Sequence, residues 1–183
     1  MDTPFYVDTR EPVIIVPPLA VTLAATAKAL YTTAAFPGPM GQYFLRPGKK
    51  FRIRLFGQIT TAATPGNGTF DIYYGSGADA TGVVLASSVA HTLIASRTND
   101  AWELDITVTT RLQGATGTLF CDGHWEFAPG VVAAQNGLIP AATPVVSATL
   151  DLTAASIISV QYSRSGSTAE TMQVLDGEFQ ALN

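Results

Sequence analysis

From Phe51 almost to Asn183 the chain alternates apolar and polar residues in short segments, the first being Phe51-Arg52-Ile53-Arg54-Leu55. A period of two sends successive side chains to opposite faces of a strand, so each segment describes a sheet with one face in a core and one outside. Trp102, Leu104, Ile106 and Val108 alternate with Glu103, Asp105, Thr107 and Thr109, and Leu119, Cys121, Trp125 and Phe127 continue the pattern after Gly114 to Gly117. Val83 to Ile94 is a further β-rich run, and strands are expected at Ile157 to Tyr162 and Met172 to Leu182. Thr64-Pro65-Gly66-Asn67-Gly68 supplies turn residues, and Phe70-Asp71-Ile72-Tyr73-Tyr74 returns as the second arm of an expected hairpin. With the weaker early candidates this gives roughly eight to ten strands, which predicts an all-β, two-sheet antiparallel jelly-roll sandwich. A chain of 183 residues that is 47% hydrophobic can bury one such core.

The organisation differs before Pro47. Residues 1–18 hold Pro4, Pro12, Pro17 and Pro18 around Val13-Ile14-Ile15-Val16, which favours extended backbone and reads as an N-terminal arm; residues 19–183 read as a single sandwich domain. Fully extended, such an arm reaches about 50 Å. Its apolar centre then either adds to a neighbouring sheet or folds back on its own sandwich. Between residues 20 and 36 the alanines have high helix propensity, but Val21, Thr22, Thr26, Tyr31, Thr32 and Thr33 favour two short strands, ended by Pro37-Gly38-Pro39.

Charge narrows the function classes. Only 13% of residues are charged, against about 25% in typical soluble domains. A surface of Thr, Ser, Ala and Gly suits burial against other subunits. The net charge of -4 removes the general attraction on which nucleic-acid binders rely. Five of the ten basic residues, Arg46, Lys49, Lys50, Arg52 and Arg54, cluster in one stretch. They read either as charges guarding an edge strand or as a docking patch for an acidic neighbour. These five, with Val13, Ile14, Ile15 and Val16, form the candidate interface. Cys121 is the only cysteine, so no internal disulfide forms, and its alternation with Leu119 and Trp125 makes it a buried thiol. The N-terminal residues lack a signal-peptide pattern, and no apolar run is long enough to span a bilayer, so synthesis in a cytosol and no membrane partner are expected.

Three constellations bear on chemistry. Glu103 and Asp105 lie two residues apart on one strand face, about 7 Å along the strand, a separation available to glycosidase acids. Their outward face reads instead as hydrated. Asp122, His124 and Glu126 alternate like metal ligands, but the apolar set beside them takes the inward face, and His91 has no ligand-like spacing to them. No G-x-S-x-G elbow occurs, so a serine hydrolase is not expected. Tyr73, Tyr74 and Trp125 fit either a sugar platform or the core and its rim. No catalytic residue, metal or cofactor is expected.

Tyr43-Phe44-Leu45-Arg46-Pro47-Gly48-Lys49-Lys50-Phe51-Arg52-Ile53-Arg54 through Gly57, the Pro65-Gly66 to Ile72 segment, Trp102 through Arg111 and the closing Ala181-Leu182-Asn183 resemble tailed-bacteriophage virion structural proteins. The resemblance implies a non-enzymatic capsid decoration or cement protein that bridges major capsid subunits. It would be made in the bacterial cytoplasm, sit on the capsid surface and self-associate as a homotrimer. The alternative it leaves is a minor tail protein or a receptor- or carbohydrate-binding module.

Overall fold

The computed structural model of the protein describes residues 14–15, 19–31, 45–132, 135–166 and 170–182. Among these the strands are β1 (Ile14–Ile15), β2 (Leu19–Thr22), β3 (Lys28–Ala29), β4 (Lys50–Thr60), β5 (Asn67–Gly75), β6 (Val83–Ser87), β7 (His91–Thr92), β8 (Asp100–Leu112), β9 (Thr118–Phe127), β10 (Asn136–Ile139), β11 (Ile157–Arg164) and β12 (Thr171–Ala181). They form two antiparallel sheets packed as a sandwich. The seven-stranded sheet runs β1-β12-β4-β8-β9-β10 with β2 also on β12, and the five-stranded sheet runs β3-β11-β5-β6 with β7 also on β5.

The alternation seen in the sequence sets which side of each strand is covered. Along β4, Phe51, Ile53 and Leu55 are buried while Arg54 and Phe56 are exposed. Along β8, Trp102, Leu104, Ile106 and Val108 are buried, and along β9, Leu119, Cys121, Trp125 and Phe127. These inward rows meet Phe70 and Ile72 of β5 and Ile158, Val160 and Tyr162 of β11 from the opposite sheet. Gly57 is required where it stands. A Cβ there would lie 1.9 Å from the Gln173 carbonyl oxygen and 2.8 Å from the Trp102 ring, so the largest side chain of the row sits beside the smallest.

Two local expectations are corrected. The turn at Thr64 to Gly68 does not close a hairpin: β4 pairs with β12 and β8, whereas β5 pairs with β11, β6 and β7 in the other sheet. The turn therefore crosses between layers, as jelly-roll connections do. Nor is β4 an edge strand, since β12 and β8 flank it, so Arg52 and Arg54 do not guard an open edge. The two short early strands do form, as β2 and β3. The arm's centre is placed by β1, where Ile14 pairs with Phe179 and Ile15 with Glu178 of the chain's own β12. Val13 and Val16 lie outside the described residues.

His91 is buried between the sheets with its Nε2 2.8 Å from the Tyr162 hydroxyl and its ring 4.5 Å from that of Trp125. Burial lowers its pKa to about 4, the Val89 carbonyl opposing the shift only in part. Because the folded value lies below the ordinary 6.5 of an exposed imidazole, the unfolded chain takes up the proton first as pH falls. Stability contributed by neutral His91 is thus complete above pH 6.5 and drains away down to about pH 4, a loss of about 3 kcal/mol. Urea midpoints measured across this window should fall with pH in the native chain and lose most of that slope in His91→Gln. An unchanged slope in the variant would place the acid sensitivity elsewhere.

A charged outer face as candidate functional site

The strand register collects on one surface the polar residues that the sequence scatters over four strands. On the outer face of the larger sheet Glu178 of β12 lies opposite Arg54 of β4, which lies opposite Asp105 of β8 and then His124 of β9. The adjoining row reads Asp176, Phe56, Glu103 and Glu126, and the next Gln180, Arg52, Thr107 and Asp122. Six of the fourteen acidic residues thereby share a face with Arg52 and Arg54.

The two arginines are held by the acids beside them. Arg52 grips Asp105 with two nitrogens, Nε donating at 2.9 Å to Oδ1 and Nη2 donating to Oδ2. That hydrogen bond is the main reason the Arg52 pKa is raised above its ordinary value. Arg54 spreads over three carboxylates, with Nε 3.5 Å from Asp105, Nη1 3.7 Å from Glu178 and Nη2 3.8 Å from Glu103. Asp105 is only 12% exposed and its oxygens are consumed by the two guanidiniums. Glu103, 41% exposed, keeps an oxygen for an outside partner. The Glu103 and Asp105 pair therefore behaves as an ion-pair network instead of two acids facing each other across a bound sugar.

Next to this network lies an open cavity of about 430 Å³ lined by Arg54, Leu55, Phe56, Glu103, Asp176, Gly177 and Glu178. A β-bulge builds one wall: the register jumps between Val174 and Asp176, so Leu175 is the extra residue and Asp176 falls opposite Phe56. Phe56 is 47% exposed. An aromatic ring among carboxylates and a guanidinium offers an apolar platform, acceptors and a donor in one depression.

The other proposed residues fall elsewhere. Arg46 and Lys49 flank the Pro47–Gly48 turn before β4, and Lys50 opens that strand. Asp122, His124 and Glu126 are exposed on the outward side of β9. Among the described residues no three His, Cys, Asp or Glu side chains converge as metal ligands. Of the aromatic residues weighed as a sugar platform, Trp125 and Tyr74 are buried in the core. Tyr73 points outward beside Asp71, whose carboxyl is pushed up by burial and accepts from Ser87 Oγ at 2.5 Å. That side of the smaller sheet is partly roofed: Gln161 accepts from the Ala80 N–H at 2.7 Å and donates to the Ala78 carbonyl at 3.1 Å, while Lys28 meets Asp79 at 2.7 Å. Phe56 escaped the sequence reading although its signal was there, since it stands in phase with Arg52 and Arg54 on the outward side of β4.

No protein-family model matches the chain, and no curated protein matches it. Among solved structures it is similar to the lectin UEA-II complexed with galactose, at 11% identity over 94% of this chain and 99% of that one, with a TM-score of 0.47. It is also similar to the protein of unknown function SO2946 from Shewanella oneidensis MR-1, at 10% identity over 93% of this chain and 75% of that one, TM-score 0.40. A third similarity is to the CBM2 module of the evolved Dit of Lactobacillus casei BL23 phage J-1, at 9% identity over 88% of this chain and 67% of that one, TM-score 0.27. At such identities and TM-scores these similarities transfer no role to any residue.

Proposed function

We propose that the chain is a non-enzymatic β-sandwich recognition module that binds carbohydrate on the outer face of its larger sheet, serving as a receptor- or glycan-binding component of a phage tail. The observation that carries this reading is the exposed Phe56 ring set among Arg54, Glu103, Asp176 and Glu178 in one open cavity. A sugar ring presents an apolar C–H face and a rim of hydroxyls. Phe56 suits the face, the carboxylates accept from the hydroxyls, and Arg54 donates to them. The placement in a virion rests on the resemblance of the sequence segments given above.

A glycan array probed with the full chain tests the proposal, followed by titration of the strongest hit. Phe56→Ala should weaken binding about tenfold or more, the equivalent of about 1.5 kcal/mol. The fold should be untouched, because the side chain is half exposed. An array without specific binding, or a Phe56→Ala variant that binds as well as the native chain, would remove the glycan reading.

Sparse surface charge favours a second reading, that of a capsid decoration protein with the major capsid protein as partner and homotrimeric self-association. In it Arg46, Lys49, Lys50, Arg52 and Arg54 and the arm around Val13 to Val16 contact the shell. Since Ile14 and Ile15 run along the chain's own β12, a clamp through those residues requires them to leave that edge or to act while paired there. Copies per virion, counted by quantitative mass spectrometry, separate the readings: a number on the scale of the shell supports decoration, a handful supports the tail.

A further inference from the structure

In the row of side chains that crosses the cavity, Phe56 of β4 stands opposite Asp176 of β12 on one side and Glu103 of β8 on the other, with Glu126 of β9 opposite Glu103. Neighbouring strands lie about 5 Å apart, so an exposed ring sits between two carboxylates, both within reach of a group resting on it. The cavity lining sets three carboxylates, Glu103, Asp176 and Glu178, against one guanidinium, Arg54. Arg54 is shared further with Asp105, which also holds Arg52. Asp176 is exposed and has no ion-pair partner among the described residues. Glu103 faces Glu126 directly across the strands, an arrangement of like charges that costs stability in a sheet. The ion pair of Glu103 is loose, with Arg54 Nη2 at 3.8 Å.

The carboxylates flank a ring instead of converging on a point, and among the described residues no three such groups meet as metal ligands. The geometry therefore fits a cation carried on a ligand that has an apolar surface of its own. We infer that the ligand is a sugar bearing a free, protonated amino group, its ammonium held by Asp176 and Glu103 beside the Phe56 ring; the inference rests on the glycan reading and names the class of sugar. An ammonium offers three donors and a full positive charge to the two acids, where a hydroxyl offers one donor and no charge. The same ammonium is attracted to the face of an aromatic ring, and the sugar carbons beside it cover the rest of that face. Acetylating the nitrogen keeps the ring and the hydroxyls but removes the charge, leaving the carboxylates partly stripped of water with no counter-charge. Acidic sugars meet net repulsion from the lining. An open cavity of about 430 Å³ is broad enough for a sugar ring and wider than a single extended alkyl stem needs.

The test is a glycan array probed with the full chain, carrying glucosamine, galactosamine and mannosamine oligomers each as the free amine and as its N-acetyl twin, beside neutral and acidic sugars. The strongest amine hit and its twin are then titrated in solution. The free amine should bind about tenfold or more tighter than the N-acetyl form. Asp176→Asn with Glu103→Gln, which removes charge but little volume at two solvent-accessible side chains, should lose most of that preference. Asp151→Asn, a change of net charge outside the cavity, should keep it. Equal binding of the twins, specific binding confined to neutral or acidic sugars, or a preference that survives in the double variant would overturn the inference and leave the glycan reading standing. An oligolysine bound as tightly as the amine sugar would overturn it as well, by showing that the face takes any cation. An array with no specific sugar binding would remove the glycan reading and this inference together.

Discussion

Glu170→Ala should lower the unfolding free energy by about 3–5 kcal/mol. Glu170 and Arg164 are both buried, joined through Arg164 Nε and Glu170 Oε2 at 3.2 Å, with the same Nε 3.3 Å from the Leu23 carbonyl. Burial pushes the Glu170 carboxyl above its ordinary range, and the Arg164 guanidinium and the backbone of Ala62 and Gly66 pull it back. Arg164 Nη1 has no hydrogen-bond partner. The pair is thus costly to bury and costlier to break, because truncating the acid leaves a guanidinium in the interior with nothing to neutralise it. Replacing both residues, as Arg164→Met with Glu170→Leu, should recover most of the loss. Guanidinium chloride unfolding of Arg164→Met, Glu170→Leu and the double variant, beside the native chain, makes a complete cycle. A double variant as unstable as Glu170→Ala would show that the pair is held by shape and not by charge compensation.

Phe70→Ala is expected to cost a similar amount, about 3–5 kcal/mol, for a different reason. Phe70 is fully buried at the meeting of the two sheets, edge-on to Tyr162 at 4.7 Å between ring centroids and tilted against Trp102 at 5.8 Å and Phe127 at 5.9 Å. Its removal opens a cavity bordered by rings from both layers, which cannot close without moving the strands that carry them. Thermal unfolding should show a lowered midpoint with the far-ultraviolet spectrum of the folded state retained at low temperature. A loss below about 1 kcal/mol would mean the layers collapse onto the space. The same reasoning disqualifies Trp125 as a probe of sugar binding, since it lies in this core and its truncation would remove stability before it informed on recognition.

Much of the fold was legible because a buried sheet face writes itself into sequence with period two. The inward rows of β4, β8 and β9 could be read residue by residue. What that period does not contain is the identity of a strand's neighbours. Arg52 and Arg54 fit the guard of an edge until pairing with β12 and β8 places them mid-sheet, and the Thr64 to Gly68 turn fits a hairpin until its two strands are found in different layers. The candidate site was hidden for the same reason. Glu103 and Asp105 were visible as outward acids, but their engagement by Arg52 and Arg54 comes from the β4–β8 register, and Asp176 reaches Phe56 only through an extra residue in β12. Bulges leave no periodic mark longer than one residue.

The place of β12 in the larger sheet has a consequence during synthesis. It fills the gap between β1 and β2 on one side and β4 on the other, with Phe51 opposite Ala181. Until residues 171–181 have left the ribosome, β4 has an unpaired edge and an apolar row with no finished layer to lie in. Contacts so distant in sequence form slowly. The nascent chain therefore carries a sticky half-sheet until then, and chaperone occupancy on ribosomes stalled with residue 170 just emerged should exceed that on ribosomes stalled with residues 1–183 fully emerged.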